Sequence, residues 1–186
     1  MSKPIAEPRL ARLRDIIKEH SLLSGRNFKL ASGKESGFYF DMKKSTLHPE
    51  GANLMADLLL DELEKEDVTH VGGVAMGAVP MVAALCVRSH QRGKKLEFFY
   101  VRKEGPKDHG AETLIDGYFG PGAKVAILED VTTTGGSAFK TIGVVEAQGA
   151  KVQVVLTVVD RLEGAQAAFA ERKLKLVTLL TNEDFK

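Results

Sequence analysis

Glu129 and Asp130 are well placed for chemistry, because two adjacent acids follow an apolar run and precede a small, polar turn. The turn, residues 131–137, contains three threonines, two glycines and a serine, and a helical pattern follows it. The backbone amides of such a turn, with the positive end of a helix, form a cradle for a phosphate. The carboxylates would repel that phosphate unless they bind something else, and sugar hydroxyls are their natural partner. The pattern therefore predicts a site for a phosphorylated sugar.

A second interpretation is an ordinary turn of a doubly wound domain, in which the hydroxyls only cap the following helix. Capping explains Ser137, but it does not explain two acids together with three threonines and two glycines. Two other phosphate-binding motifs are absent: G-x-x-x-x-G-K-[ST] does not occur, and no G-x-G-x-x-G follows a predicted strand. These absences argue against a P-loop protein and against a Rossmann dinucleotide site.

The same segment resembles the phosphoribosyl pyrophosphate (PRPP) signature of the type I phosphoribosyltransferases: four apolar residues, two acids and a loop of threonines and glycines. The resemblance implies an α/β fold with a central, mostly parallel sheet flanked by helices, a small N-terminal hood and a flexible catalytic loop. It also implies that Glu129 and Asp130 hold the ribose 2′ and 3′ hydroxyls. The remaining PRPP contacts would come from the turn, with the 5-phosphate cradled from Thr132 onward: Val131, Thr132, Thr133, Thr134, Gly135, Gly136 and Ser137.

A long insertion of weak pattern separates two predicted strands, residues 96–102 and the strand that begins at Val125. It opens with four potential cations within eight positions, interrupted by glycines and a proline. Loops of this length inside a compact domain are usually lids or binding loops, and a cationic lid could neutralise charge on a departing pyrophosphate. The alternative is a solvated charge run on a surface loop.

The start of this insertion, R-K-x-x-x-K-x-H-G, resembles the catalytic loop of the orotate phosphoribosyltransferases. In that family the loop binds PRPP across a homodimer interface. The resemblance implies that Arg102, Lys103, Lys107 and His109 contact the pyrophosphate. Lys103 and Lys107 would stabilise the leaving group and His109 would donate a proton. Asp130 would also ease positive charge on the sugar and so count as catalytic.

Two further stretches carry the same resemblance to the orotate enzymes. Residues 28–33, followed by Phe-Tyr-Phe-Asp at 38–41, resemble the family's base-binding region, and Val-Asp-Arg at 159–161 resembles its orotate-carboxylate site. The implied orotate contacts are Thr133, Arg161, Tyr39 and Phe40.

These base contacts have structural alternatives. Arg161 could form a salt bridge with Asp160 or Glu163, and Tyr39 and Phe40 could belong to the core. The sequence also departs from the family pattern, since Ala31 and Met76 stand where many relatives have lysine. Lys29, Lys34 or Lys43 are candidates to replace that charge.

The resemblance implies a reaction in which PRPP transfers its ribose 5-phosphate to orotate, giving orotidine 5′-phosphate and pyrophosphate in the synthesis of UMP. Mg²⁺ would be the cofactor, held mainly by substrate oxygens rather than by protein side chains. The partners would be PRPP, orotate and a second copy of the chain, with active sites shared in a homodimer. Two alternatives are a phosphoribosyltransferase for another base, such as a purine, and a PRPP-binding regulator. The net charge of +1 and the lack of a segment to read DNA argue against nucleic acid.

The chain length of 186 residues predicts a single domain, with a hood at about 1–48, a PRPP-binding core at about 49–164 and a final helix and strand at about 165–186. The lone cysteine, Cys86, excludes an intrachain disulfide, fits a reducing compartment and is expected to pack as a small hydrophobe. No apolar leader and no window of membrane-spanning length is visible. We therefore expect a cytoplasmic protein that binds no membrane.

Strands and helices alternate along most of the sequence, which predicts a parallel sheet covered on both faces. The predicted helices are residues 9–20, 50–63, 79–89, 138–148 and 165–172. The predicted strands are residues 28–33, 37–41, 69–75, 96–102, 125–129, 152–160 and 174–180.

Overall fold

A computed structural model of the chain describes residues 6–29, 35–103 and 114–186. The helices among these residues are α1 (Pro8–His20), α2 (Lys43–Thr46), α3 (Pro49–Leu63), α4 (Val79–Gln91), α5 (Gly136–Ala147) and α6 (Ala165–Glu171), followed by a final 3₁₀ helix (Asn182–Phe185). The strands are β1 (Leu22–Lys29), β2 (Glu35–Phe40), β3 (His70–Val74), β4 (Glu97–Val101), β5 (Ile115–Gly117), β6 (Lys124–Thr132), β7 (Lys151–Asp160) and β8 (Lys175–Thr181).

The main sheet has six strands in the order β5-β4-β3-β6-β7-β8. All neighbouring pairs are parallel except β4 and β5, so the mostly parallel sheet is confirmed. Strand β5 was not predicted, because it has three residues inside the insertion and no alternation of its own. At Gly117 a Cβ atom would stand 2.5 Å from the carbonyl oxygen of Phe98, so the backbone approach there requires glycine.

Helices cover both faces of this sheet, and each face has its own apolar core. Helices α1, α3 and α4 pack on one face, and α5 and α6 pack on the other. Along β6, Ala126 and Leu128 enter the first core, whereas Val125 and Ile127 enter the second. Burial on both faces explains why this strand is an unbroken apolar run rather than an alternating one.

Strands β1 and β2 form a separate antiparallel hairpin, with an irregularity in register between Ser24 and Phe28. By contrast, α1 belongs to the main body of the protein. Its residues Leu13, Ile16 and Ile17 are completely buried, and α1 packs against α3. Within the N-terminal segment, the hairpin is therefore the part that stands outside the main sheet.

Cys86 is exposed on α4, so the prediction that it packs as a small hydrophobe is wrong. The helix buries Met81, Val82, Leu85 and Ser89, a spacing of three and four residues that defines its inner face. Cys86 follows Leu85 directly and lies off that face.

Within residues 6–29, 35–103 and 114–186, no helix combines the length and the apolar character needed to cross a bilayer.

Candidate active site

A cavity of about 830 Å³ opens where β6, β3 and β4 end at the same edge of the sheet, beside the β1–β2 hairpin. Every predicted site residue that the structure describes lines this cavity. These residues are Tyr39, Phe40, Arg102, Lys103, Glu129, Asp130, Val131, Thr132, Thr133, Thr134, Gly135, Gly136, Ser137 and Arg161. Lys107 and His109 lie outside the described residues.

The two acids lie within β6, which continues to Thr132 instead of ending at Glu129. Glu129 is only 7% exposed, and its Oε1 has no hydrogen-bond partner among the described residues. Burial, reinforced by the negative charge of Asp130, raises the pKa of Glu129 to about 8, against a hydrogen bond from the Ser137 side chain that lowers it. A buried carboxyl oxygen without a hydrogen bond is costly unless a ligand supplies a donor.

Asp130 has a pKa above the usual range of an aspartate, chiefly because it is buried. Three interactions oppose that shift: the amide of Val131 donates to its Oδ1 at 2.8 Å, the amide of Asp130 itself donates to the carboxylate, and the charge of Lys43 favours the ionised form. The ammonium of Lys43 also pairs with Asp41 at 2.7 Å. Of the three lysines proposed to replace the missing charge, Lys43 therefore lies near this carboxylate, whereas Lys34 and the side chain of Lys29 lie outside what the structure describes.

The turn between β6 and α5 is shaped by glycine. Gly135 has a φ of +83°, and a Cβ atom there would meet Phe169 at 2.9 Å and Phe139 at 3.1 Å. The two rings lie 4.5 Å apart, centroid to centroid, so they form a floor under the turn. Only a glycine fits the space above this floor in that backbone conformation.

Helix α5 begins at Gly136, and Gly135, at the cap position, offers no side-chain hydrogen bond to the first turn. This finding disfavours the interpretation in which the hydroxyls of the turn only cap the helix. The amides of the first turn and the positive end of a 12-residue helix are then available to an anion. Lys140 lies in the same helix and lines the cavity, a cation that the sequence analysis did not single out. Its spacing from Gly136 and Ser137 is the signal that could have identified it, since such residues share a helix face.

Thr132 contributes differently from its neighbours in the turn. It is 2% exposed, and its hydroxyl donates to Oγ1 of Thr157 at 3.1 Å inside the core. Its carbonyl oxygen accepts from the amide of Arg161 at 2.9 Å. Thr132 therefore ties the end of β6 to the end of β7.

The turn between β3 and α4 reaches the acids from the neighbouring strand. It contains a cis peptide bond between Ala75 and Met76. A Cβ atom on Gly77 would stand 3.3 Å from both carboxylate oxygens of Asp130. Val74, Ala75, Met76 and Gly77 all line the cavity, and Met76 is 71% exposed.

Both ends of the insertion lie at the cavity. Arg102 and Lys103 line it where β4 ends, and Leu114 lines it before β5 begins. The guanidinium of Arg102 is held by Asp116 through two hydrogen bonds of 2.6 and 2.5 Å, which join the end of β4 to the edge strand β5 and raise the pKa of Arg102 above its usual value. Lys103 is exposed at this end of the cavity, where its ammonium could bind a phosphate.

Arg161 follows β7 and is buried, with 4% of its surface exposed. Its Nε pairs with Glu163 at 2.8 Å and its Nη2 donates to Ser36 at 2.9 Å, while the guanidinium lies over the ring of Phe38 at 4.5 Å. The structural alternative from the sequence is thus present in one of its two forms, because the ion pair is with Glu163 and not with Asp160. Arg161 nevertheless lines the cavity.

Tyr39 and Phe40 differ in their surroundings although both line the cavity. Phe40 is 4% exposed and packs edge-on against Phe185, with ring centroids 5.0 Å apart, as the core alternative predicts. Tyr39 is 36% exposed and stacks on Phe28. Tyr39 is therefore the ring better exposed to a flat ligand.

Among the described residues, no group of three or more His, Cys, Asp or Glu side chains could hold a metal ion. Glu129 and Asp130 supply hard oxygen atoms, the kind of donor that Mg²⁺ prefers, but two carboxylates do not form a cage. The residues present therefore fit a Mg²⁺ ion that arrives with, and is mostly coordinated by, substrate oxygens and water.

Comparison with known proteins gives consistent results over nearly the whole chain. The sequence is 45% identical to the orotate phosphoribosyltransferase of Rhodopseudomonas palustris (strain BisB5), over 100% of this chain and 98% of that protein. The crystal structure of the Mycobacterium tuberculosis H37Rv orotate phosphoribosyltransferase in complex with PRPP superposes with a TM-score of 0.79 at 31% identity, covering 96% of this chain and 99% of that one. A phosphoribosyltransferase from Corynebacterium diphtheriae gives a TM-score of 0.83 at 32% identity with the same coverage. No protein-family model matches the chain.

Proposed function

The chain belongs to the orotate phosphoribosyltransferase family, and from this premise we propose that it transfers the ribose 5-phosphate of PRPP to orotate, releasing pyrophosphate and orotidine 5′-phosphate. The observation that carries the proposal is the junction of β6 and α5. There the buried Glu129 and the half-buried Asp130 stand beside a glycine-shaped turn and a helix N-terminus whose cap residue has no side chain.

PRPP fits this junction in one orientation. The amides of the turn and of the first turn of α5 would hold the 5-phosphate, and Lys140 would add positive charge. Glu129 and Asp130 would hold the ribose hydroxyls, which gives the unpartnered Oε1 of Glu129 a donor. The pyrophosphate would then lie toward Gly77 and Lys103, at the ends of β3 and β4.

The reaction breaks the bond between the anomeric carbon and pyrophosphate and forms a bond from that carbon to N1 of orotate, and the proton that N1 loses is released to the pyrophosphate or to water. Positive charge develops on the sugar, and Asp130 would ease it from below the ring. Lys103, with Lys107 and His109 from the insertion, would stabilise the negative charge on the leaving pyrophosphate. No covalent intermediate is needed, since the base attacks the sugar directly.

Recognition of orotate would depend on Arg161 and Thr133, both at the same edge of the sheet. A guanidinium matches a carboxylate in shape and charge. Tyr39 would pack against the pyrimidine, and Phe40 would support that wall of the cavity from the core.

Mg²⁺ is proposed as the cofactor, since it would neutralise the pyrophosphate as it departs. Glu129 and Asp130 would interact with the Mg²⁺ ion mainly indirectly, through the sugar oxygens and through water. We also propose a cytoplasmic role in UMP synthesis, because the single thiol requires no oxidising compartment.

A homodimer is proposed as the working form, with the second copy covering an apolar surface beside the site. Leu47 is 70% exposed and Val87 is 60% exposed, and Leu47 ends α2, which packs against α4. Met76 is exposed as well and lines the cavity, so a partner seated here would reach the active site. Light scattering of the wild type and of Val87→Asp tests this: the wild type should have the mass of two chains and the variant should dissociate.

The central experiment supplies PRPP and Mg²⁺ with orotate, adenine, hypoxanthine, guanine or uracil in turn, and follows consumption of the base. We expect only orotate to be consumed: its absorbance should fall, and an equal amount of pyrophosphate should be released. Consumption of a purine would instead identify another base as the substrate. If no base is consumed while PRPP still binds, the protein is a PRPP-binding regulator and the proposed transfer is wrong.

A further inference from the structure

Arg161 separates the main cavity from a second, shallower cavity of about 410 Å³, and it lines both. The smaller cavity is also lined by Ser36 from the hairpin and by Glu163. A buried cation between two openings is held in place by whatever bonds its guanidinium makes, so those bonds decide which of its N–H groups a ligand can reach.

The bond between Arg161 and Glu163 uses one nitrogen and one oxygen. Oε1 of Glu163 accepts from Nε of Arg161, whereas Oε2 is buried and has no partner among the described residues. Two half-buried arginines elsewhere in the described chain make two-pronged pairs: Arg88 with Asp57 at 2.7 and 3.1 Å, and Arg102 with Asp116. Glu163 thus binds the Nε–H group of Arg161 and leaves the two terminal nitrogens, Nη1 and Nη2, unoccupied by its carboxylate.

The backbone turn after β7 holds Glu163 in position to bind Arg161. Oδ1 of the buried Asp160 accepts from the amide of Leu162 at 2.8 Å, which folds the chain back on itself after β7. Leu162 has a φ of +58°, a conformation that leucine rarely adopts and that is retained where surrounding structure requires it. The turn brings Glu163 back against the arginine two residues before it.

The outer part of the guanidinium is fixed by the hairpin. Nη2 donates to the hydroxyl of Ser36 and the guanidinium plane covers Phe38. Nη1 has no hydrogen-bond partner within the described part of the chain, so its two N–H groups, with the second one on Nη2, remain for a ligand.

We propose that Glu163 and Ser36 are positioning residues that hold Arg161 by its Nε and by one Nη2 hydrogen, so that its outer edge meets the carboxylate of the base. They would thereby set the preference for a base that carries a carboxylate over one that lacks it. This inference rests on the proposed function, because it takes orotate as the base.

The test compares orotate with uracil, which has no carboxylate, in Glu163→Gln and Ser36→Ala. Glu163→Gln keeps an acceptor for Nε but removes its charge, so the KM for orotate should rise about tenfold, the effect of a weakened charge-assisted bond. Ser36→Ala removes the second bond and should raise that KM about threefold. The KM for PRPP should change less than twofold in both, and the preference for orotate over uracil should fall by the factor lost for orotate.

Glu171→Gln is the matched control, because it removes the same charge from an exposed position at the end of α6. This variant should leave the KM for orotate and the KM for PRPP unchanged, and thermal melting of each variant reports whether it folds. An equal rise in the KM values for orotate, uracil and PRPP would show a merely structural role and overturn the inference alone. An unchanged preference for orotate over uracil in folded variants would do the same. A wild type that does not consume orotate would overturn the proposed function, and the inference with it.

Discussion

The carboxylate of Asp130, near the end of β6, lies against Gly77, in the turn that follows β3. A Cβ atom added to Gly77 would stand 3.3 Å from both oxygens of Asp130. This is tighter than ordinary van der Waals contact, so a side chain at position 77 would push the carboxylate from its place. The turn after β3 therefore limits the position of the Asp130 carboxylate.

Gly77→Ala should lower kcat/KM for PRPP by about tenfold, because a displacement of a few tenths of an ångström at a binding carboxylate weakens its alignment with the sugar. The free energy of unfolding should change by less than about 1 kcal/mol, since the oxygen atoms can yield. Steady-state kinetics and urea unfolding measure the two quantities. Gly143→Ala is the control, because a Cβ atom there meets nothing within 4 Å. Unchanged kinetics in Gly77→Ala would mean that the position of Asp130 is not limiting.

The elevated pKa of Glu129 predicts how stability depends on pH. The carboxyl group has a reference pKa of 4.5 and a pKa of about 8 in the folded protein, chiefly because it is buried. The folded state therefore binds the proton more tightly, and its stability falls as the pH rises from about 4.5 to about 8.

Glu129→Gln should remove this dependence, since glutamine has the same shape and does not ionise. Its free energy of unfolding should equal that of the wild type near pH 4 and exceed it at pH 8.5 by at most about 5 kcal/mol, the equivalent of the full pKa shift. Denaturant unfolding across this pH range, without ligand, provides the measurement. A difference that is the same at every pH would show that the carboxyl group is not protonated at neutral pH.

Gly135→Ala should disrupt the phosphate-binding turn. The substitution combines an unfavourable φ with a collision against Phe169, and should destabilise the protein by about 2–3 kcal/mol and weaken PRPP binding at least tenfold. Gly93→Ala separates the two effects, because Gly93 has a φ of +69° with nothing within 4 Å of a Cβ atom. It should cost only about 1 kcal/mol and leave PRPP binding intact. If calorimetry gives the two variants equal affinities for PRPP, the floor of aromatic rings does not shape the site.

Lys43→Gln should shift the acidic limb of the pH profile of kcat/KM for PRPP to higher pH. The charge of Lys43 lowers the pKa of Asp130, so its removal moves the ionisation of that carboxylate to higher pH. On the acidic limb the variant should have a lower kcat/KM than the wild type, and high salt should shrink the difference by screening the wild type. Lys44→Gln, an exposed neighbour, should follow the wild-type profile. Superimposable profiles for all three proteins would contradict the influence of Lys43 on Asp130.

The alternation of strands and helices was predictable because each element carries its own periodicity. The apolar run before Glu129 indicated a strand buried on both faces, and the structure shows it between two cores. The exposure of Cys86 was not predictable, because the first turns of α4 are apolar on all sides and the pattern does not reveal the inner face. Strand β5 escaped prediction because it is held by backbone pairing at the sheet edge rather than by a pattern of its own.

Much of the candidate site was predictable for a similar reason, since Glu129 to Ser137 are consecutive and form the end of β6 and the turn after it. What remained hidden were contacts between distant parts of the chain. Ser36 and Arg161 are 125 residues apart, and Lys43 in α2 lies near Asp130 at the end of β6 although many residues separate them in the sequence. No spacing in a sequence encodes such distances; they follow from how the hairpin and the main sheet pack.

The two helical layers meet the cavity from opposite faces of the sheet, the turn before α4 from one and the first turn of α5 from the other. A molecule with a phosphate at each end would fasten one layer to the other, whereas ribose 5-phosphate or pyrophosphate would touch only one. PRPP should then raise the melting temperature by more than ribose 5-phosphate and pyrophosphate combined, because it would stabilise the fold by connecting its two helical layers.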